Sequence, residues 1–197
     1  MSIPSRVEAA RLLRSLEPPD WFLRHACAVA DVAAWLARRA ADSGLDVGVL
    51  LVDTGALLHD VDKLPAAVVG APTLRHGDAA AAWLEARGWG ELAPVVREHP
   101  VTRLAEPGCE AWLRASPLEP LIVAYADKRA GQHLEPMTAR FASWHRRYPG
   151  GWDDDVGESV QARARELERI VCEAAGVDPA DVRRFGWSRR ALRDAAA

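Results

Sequence analysis

Apolar residues recur three and four positions apart along almost the whole chain, and this spacing limits the fold more than any other feature. The clearest stretch is residues 20–43, where one stripe holds Trp21, Phe22, Ala28, Val29, Val32 and Leu36, with His25 in its middle. Such spacing places side chains on one face of an α-helix. Alternating runs of β-branched residues, which would indicate strands, are scarce. The sequence therefore predicts an all-α protein, folded as a compact helical bundle.

The length and charge limit the classes of protein that this chain can belong to. It has 197 residues, 49% of them hydrophobic and 27% charged, which is enough for one domain with a substantial core. We expect a single domain over residues 1–197. The net charge of -3 argues against a general nucleic-acid binder, because binding to a phosphate backbone usually needs a basic excess. Small phosphorylated substrates stay compatible, because a local cluster of arginines suffices for them.

The cysteines and the lengths of the apolar runs indicate in which cellular compartment the protein is expected. Cys27, Cys109 and Cys172 are odd in number and lack metal-ligand spacing, so a disulfide framework is not expected. The first residues lead into an amphipathic segment and not into the apolar core of a signal peptide. No run reaches the ~20 apolar residues of a membrane span. We therefore expect a cytoplasmic protein with no membrane partner.

The helical spacing, interrupted by proline and glycine, also predicts the order of the elements. Helices are expected over residues 6–16, 20–43, 46–63, 79–87, 91–98, 110–114, 121–129, 136–148 and 155–175, with a short last helix after Pro179. Residues 65–75 are predicted to form a loop. Asp20 and Asp78 are predicted N-caps, and Ser116 with Glu119 has the form of a capping box. The tryptophans of the amphipathic helices, Trp21, Trp35, Trp83 and Trp112, are expected in the core.

One apolar run, beginning at Thr54, ends in three chemically active side chains: His59, Asp60 and Lys63. If the run is helical, Gly55, His59 and Lys63 share a face, because residues four apart are neighbours on a helix. A histidine beside a carboxylate in apolar surroundings needs compensation, and a divalent metal ion supplies it. An ordinary hydrogen-bonded histidine–carboxylate pair at a helix end fits the same pattern. The pair alone leaves both interpretations open.

Two other predicted helices carry a metal-competent side chain on an apolar face, His25 and Asp127. Each alone is more often structural than a ligand. The order His25, His59-Asp60, Asp127, in the settings Ala56-Leu57-Leu58-His59-Asp60 and Tyr125-Ala126-Asp127-Lys128, resembles the HD-domain superfamily of metal-dependent phosphohydrolases. The resemblance covers residues from about 20 to 150 and leaves a C-terminal helical extension at about 151–197. It implies the all-α fold of that superfamily and a metal ion held by His25, His59, Asp60 and Asp127.

His76 and His99 lie between the HD pair and the last aspartate, both at predicted helix ends. Some HD branches, including cyclic-dinucleotide phosphodiesterases and bacterial symmetrical diadenosine tetraphosphate hydrolases, carry two such histidines and bind two metals. The resemblance then implies a second ion on His76, His99 and a bridging Asp60. The alternative is that both are surface histidines. Imidazole and carboxylate ligands suit Fe, Mn, Co, Ni or Zn, and the sequence does not choose among these divalent transition metals.

The resemblance implies hydrolysis of a small nucleotide or a related phosphoester. Two ions roughly 3.5–4 Å apart can hold a hydroxide between them and aim it at phosphorus, with Asp60 shared by both. Lys63 would bind a phosphate oxygen or protonate the leaving group. Arg103 and Lys128 are candidate substrate-binding residues, because residues 99–103 are similar to a segment of the diadenosine tetraphosphate hydrolases and Lys128 flanks a ligand. A solvated lysine at Lys63 and a salt bridge at Lys128 are the structural alternatives.

Two other functions stay open at this stage. A few HD relatives that have two irons and the same six ligands are oxygenases that cleave C–C or C–P bonds. A nucleotide-binding or scaffold domain without turnover is the other alternative, although the presence of all six ligand positions argues against it. The oligomeric state is not indicated by the sequence.

Overall fold

The computed structural model describes residues 3–68, 73–147 and 154–196, which form helices joined by short turns. The α-helices are α1 (Arg6–Ser15), α2 (Asp20–Asp42), α3 (Val49–Leu58), α4 (Pro65–Val68), α5 (Asp78–Glu85), α6 (Ala93–Arg97), α7 (Cys109–Ala115), α8 (Leu118–Arg129), α9 (Met137–Arg147), α10 (Asp154–Ala175) and α11 (Ser188–Asp194). In the described ranges, β-pairing is limited to an isolated bridge between Ala130 and Leu134. The predicted all-α fold is confirmed. None of these helices is both long and apolar enough to cross a membrane.

Helix α2 is the centre of the bundle because much of its surface is built from alanine. Helices α3, α8, α10 and α11 all pack against it. Its fully buried residues include Ala26, Ala28, Ala30, Ala33 and Ala34. Small side chains let several helices approach the same axis closely, so that α2 buries more than one face. His25, the histidine of α2, is therefore surrounded by closely packed helices.

Helix α3 is apolar along its length, and its residues from Val52 to Leu58 are buried. Gly55 permits a close contact with α6, because a Cβ at this position would lie 2.8 Å from Cγ1 of Val95. The chain after α6 is thereby brought beside the end of α3. As a result the rings of His59 and His99 meet edge to face, with their centroids 4.7 Å apart.

Two buried aspartates fasten both ends of the chain to the interior. Asp53 on α3 accepts a hydrogen bond from Nε of Arg6, at the start of α1, at 2.7 Å. Asp31 on α2 accepts from Nη2 of Arg184 at 2.8 Å and from the backbone N–H of Ser188 at 3.2 Å. A buried carboxylate is costly to leave unpaired, so these contacts hold α1 and α11 against the centre of the bundle. The division into an HD core and a C-terminal extension stays a prediction.

The predicted helix over residues 46–63 is wrong at its C-terminal end. Helix α3 ends at Leu58, His59 and Asp60 lie in a turn, and a 3₁₀ segment covers Val61–Lys63. The His59 ring contacts the Ala56 carbonyl at 2.8 Å, and this is the carbonyl that a continuing helix would use. His59 and Lys63 therefore do not share one continuous helical face.

The predicted N-caps are also corrected. Pro19 and Gly77 occupy the N-cap positions, and Asp20 and Asp78 are the first residues of α2 and α5. Acidic side chains in a first helical turn interact favourably with the helix dipole, so in a sequence they are easily mistaken for N-cap residues. The capping box predicted at Ser116 is absent from its helix start, whose N-cap is the next residue, a proline.

Two further local predictions differ from the structure, and others fall on residues outside the described ranges. Residues 65–68, predicted as part of a loop, form α4, and a proline at its first position suits a helix start. The remaining predictions for residues 69–72 and 148–153 lie outside the described residues. Trp21, predicted in the core, is 50% exposed, because Phe22 takes the buried position beside it. Trp35, Trp83 and Trp112 are partly buried against the core.

Candidate metal centre

The six side chains predicted as metal ligands lie together in the interior of the bundle. They come from α2 (His25), from the turn after α3 (His59 and Asp60), from the turn before α5 (His76), from the turn after α6 (His99) and from the last turn of α8 (Asp127). Five of them are buried. The His76 side chain is the most open, with 34% of its surface exposed.

The Asp60 carboxylate lies between two pairs of histidines. Its Oδ2 lies 3.3 Å from Nε2 of His25 and 3.5 Å from Nε2 of His59. Its Oδ1 lies 3.3 Å from Nε2 of His76 and 3.2 Å from Nε2 of His99. The two oxygens thus face two separate groups of ligand atoms that share this one residue.

Asp127 adds a second carboxylate to the group that contains His25 and His59. Its Oδ1 lies 3.5 Å from Nε2 of His25 and 3.8 Å from Nε2 of His59. Helix α8 brings it there because α8 packs against both α2 and α3. We call His25, His59, Asp60 and Asp127 the first metal group, and Asp60, His76 and His99 the second metal group.

The histidine rings are oriented by hydrogen bonds on the far side from the cluster. His59 and His99 each follow a helix, and each ring donates from Nδ1 to the carbonyl three residues earlier, at 2.8 and 2.5 Å. His25 donates from Nδ1 to the Gly131 carbonyl at 2.7 Å. A carbonyl can only accept, so Nδ1 carries the proton and Nε2 offers a lone pair to the cluster. Metal-ligating histidines are typically held in this way.

Asp62 orients the fourth histidine, and the sequence analysis did not single it out. Its Oδ2 accepts from Nδ1 of His76 and from the backbone N–H of Gly77, both at 2.9 Å. Gly77 has a φ of +85°, and a Cβ there would lie 2.5 Å from the Arg97 carbonyl oxygen, so glycine is required. The signal that could have found Asp62 is a second carboxylate two positions after the proposed bridging ligand.

The donor atoms fit bound cations better than they fit a metal-free network. Nε2 of His59 is buried and has no hydrogen-bond partner among the described residues. The Nε2 atoms of His76 and His99 lie only 3.0 Å apart, so a positive charge is needed to offset their lone pairs. The residues present therefore suit divalent metal ions.

The ionisation states of the metal-free cluster differ from one side chain to the next. Burial lowers the pKa of His59 to about 3 and also lowers the pKa of His99, so both rings are neutral lone-pair donors at neutral pH. Burial alone would raise the pKa of Asp60, but the Lys63 ammonium and the protonated His76 ring hold it well below its ordinary value. At His76, burial is outweighed by the Asp60 and Asp62 carboxylates, which raise the pKa to about 9. In the metal-free cluster a proton on His76 thus supplies the positive charge.

Comparison with known protein families shows to which family this chain belongs. A family model described as HD domain matches residues 22–131, more than half of the chain. The chain belongs to the HD-domain family. This superfamily includes metal-dependent phosphohydrolases, and HD domains bind divalent metals. No curated protein and no solved structure matched the chain.

Lys63 lies at the open edge of the HD site. Its Nζ donates to Oδ2 of Asp60 at 2.8 Å, while 45% of its side chain is exposed. The burial of the rest of the cluster makes this edge, together with His76, the side from which solvent reaches the site. The lysine is therefore placed where it can contact both a metal ligand and a molecule from solution.

Arg103 and Lys128 are placed differently from what the sequence predicted. Arg103 donates from Nη2 to Asp78 at 2.7 Å and from Nη1 to Glu106 at 3.2 Å, so acidic side chains take up its donors. Lys128 is fully buried, and its Nζ donates to the carbonyls of His99 and Ala124 at 2.7 and 3.1 Å. Burial lowers its pKa to about 8. Substrate binding by Arg103 and Lys128 stays a prediction, and in this structure Lys128 holds the backbone that carries His99.

Substituting Asp62 with alanine is expected to weaken the second metal group of the HD domain selectively. Second-shell partners of this kind typically contribute about 10- to 100-fold to metal affinity. If both metal groups bind an ion, the metal content should fall from two ions towards one per chain, measured by mass spectrometry of the intact metalloprotein. Asp62→Asn is the matched control, because it keeps an acceptor oxygen for His76 and should lose less affinity. Equal metal content in the wild-type and alanine proteins would show that His76 is not held through Asp62.

Proposed function

We propose that this HD domain is a two-metal phosphohydrolase that acts on a small nucleotide or a related phosphoester. The observation that carries the proposal is the position of Asp60, whose two oxygens each face a different pair of histidine Nε2 atoms at 3.2 to 3.5 Å. A carboxylate shared by two ions is the arrangement that two-metal hydrolysis uses. One ion would be held by the first metal group and the other by the second.

The protein residues around this site would position the metal ligands and bind the substrate. When bound, the two ions would activate a water molecule and offset negative charge on the phosphoryl oxygens. The backbone bonds to His25, His59 and His99 hold the ligands in place before substrate arrives. Lys63 keeps its ammonium at the open edge, where it can bind a phosphate oxygen or give a proton to the leaving group.

The finer parts of the proposal rest on composition and donor type. A net charge of -3 and a mostly buried cluster favour a small phosphorylated substrate over a nucleic acid. The histidine and carboxylate donors suit Fe, Mn, Co, Ni or Zn. The three cysteines are buried and free, which fits a reducing cytoplasm as the place of action.

The proposal is tested by a screen of phosphoesters with the metal-loaded protein, run both in air and under nitrogen. We expect phosphate release from one substrate class, independent of oxygen and supported by Mn or Co. Product that forms only with iron and oxygen would assign the site to oxygenase chemistry instead. Tight nucleotide binding with no product, at full metal content, would indicate a binding domain.

A further inference from the structure

Arg140, on α9, brings a guanidinium to the first metal group, and no role for it follows from the sequence pattern. Its Nη2 lies 3.8 Å from Oδ1 of Asp127, and its Nε donates to the Asp127 backbone carbonyl at 3.4 Å. The residue is only 8% exposed. This Oδ1 is the same oxygen that faces His25 and His59, so the arginine borders the position of the first ion.

In the described part of the chain, no acceptor lies within hydrogen-bond distance of the terminal nitrogens of this guanidinium. It has five N–H groups, and the 3.8 Å distance to Asp127 is too long for a hydrogen bond. Among the described residues, the Nε contact with the Asp127 carbonyl is the hydrogen bond found for this side chain. Arg103 makes the contrast clear, because it donates to both Asp78 and Glu106. The terminal donors of this arginine are therefore available for an acceptor outside the described residues.

An aromatic side chain fixes the orientation of this guanidinium. Its central carbon lies 4.6 Å from the ring centroid of Trp144, one turn further along α9. Trp144 is held in turn by an edge-to-face contact with Phe141, with centroids 5.2 Å apart. Arginine stacked on an aromatic ring presents a planar fork whose direction is set before a ligand arrives.

The charges around Asp127 indicate which kind of ligand the free N–H groups of Arg140 would bind. A metal ion held by the first group would be positive, as the Arg140 guanidinium is, and Asp127 is the carboxylate that the arginine and this group have in common. An anion that bridges them would offset both charges and supply acceptors for the arginine. Phosphate matches the fork in both charge and geometry, since guanidinium binds its oxygens in a bidentate manner.

We propose that Arg140 binds a phosphoryl oxygen of the substrate at the edge of the first metal group. This inference rests on the proposed function, and it names the side chain that holds the phosphoryl group there. Arg140 takes the role that residue similarity had suggested for Arg103.

The experiment measures binding of inorganic phosphate to protein loaded with Mn²⁺ and freed of excess metal, by titration calorimetry. Arg140→Met should weaken phosphate binding about 10- to 100-fold, the loss expected for charge-assisted hydrogen bonds. Arg140→Lys keeps the charge without the fork and should recover part of the affinity. Arg146→Met is the matched control, because it removes an exposed arginine from the same helix and should leave binding unchanged.

Metal content is measured on the same samples and separates the outcomes. Unchanged metal content with weakened phosphate binding in Arg140→Met supports the proposal. Unchanged phosphate affinity overturns it, and so does a loss of metal in Arg140→Met, which would assign the arginine to holding Asp127. Failure of the proposed function is distinct, because the metal-loaded wild-type protein would then neither bind phosphate nor release it from any phosphoester.

Discussion

Replacing Asp60 with asparagine is expected to remove both metal ions and nearly all activity. Asparagine keeps the shape of the side chain, but it loses the negative charge and turns one ligand oxygen into an NH₂ group. Since each oxygen of Asp60 faces a different metal group, both groups lose a ligand from a single substitution. Metal-ion catalysis is worth several kcal/mol, so kcat/KM should fall by more than about 100-fold. The measurements are metal content per chain and phosphate release.

Asp53→Asn is the matched control for this prediction. Asp53 is also a fully buried aspartate associated with α3, but its partners are Arg6 and Arg38, and no proposed ligand of the cluster contacts it in the described structure. Its substitution should lower the unfolding temperature while leaving two ions bound. If Asp60→Asn retained both ions, the shared carboxylate would not be a ligand, and the proposed function would lose its main support.

The double variant His76→Ala/His99→Ala is expected to retain one of the two ions. It removes both nitrogen ligands of the second metal group and leaves His25, His59 and Asp127 in place. The first ion therefore keeps a donor set of two imidazoles and two carboxylates, which suffices for a divalent transition metal. Metal content should fall by about half, and hydrolysis should fall strongly because a shared water needs both ions.

The complementary variant is Asp127→Ala, which removes a ligand from the first metal group only. The two proteins together assign each ion to its own group, since each loses one and keeps the other. A double histidine variant that still bound two ions would identify His76 and His99 as structural residues. The search would then turn to mononuclear nucleotide hydrolases.

The proposed ligands were chosen from the sequence by its resemblance to the HD-domain superfamily, and the fold brings these six side chains together. His25 stands in an apolar helical stripe, and the His59-Asp60 pair ends an apolar run. The spacing of apolar residues does not predict geometry that depends on contacts made by individual side chains after folding. The end of α3 at Leu58 follows from the ring of His59 competing for a carbonyl, and periodicity does not register that competition.

The basic residues show the same limit more clearly. Arg103 was selected by similarity of its neighbourhood along the chain, yet Asp78, 25 positions away, takes its guanidinium. Lys128 was selected because it follows a ligand, but helical geometry turns it inward to the His99 carbonyl. Arg140 was missed because only folding of α9 against α8 brings it to Asp127. Long-range pairing of charges is a property of the packed structure and not of the local sequence.

If each metal group binds an ion, the uneven burial of the proposed ligands predicts different residence times for the two ions. Every side chain that would hold the first ion is between 0% and 10% exposed, whereas His76 in the second group is 34% exposed. An ion in the second group could begin to leave by losing one partly exposed ligand, whereas an ion in the first group would have to leave four ligands that are each at least nine-tenths buried. The second ion would then exchange with free metal in the surroundings, and the rate of turnover would follow metal supply through that position alone.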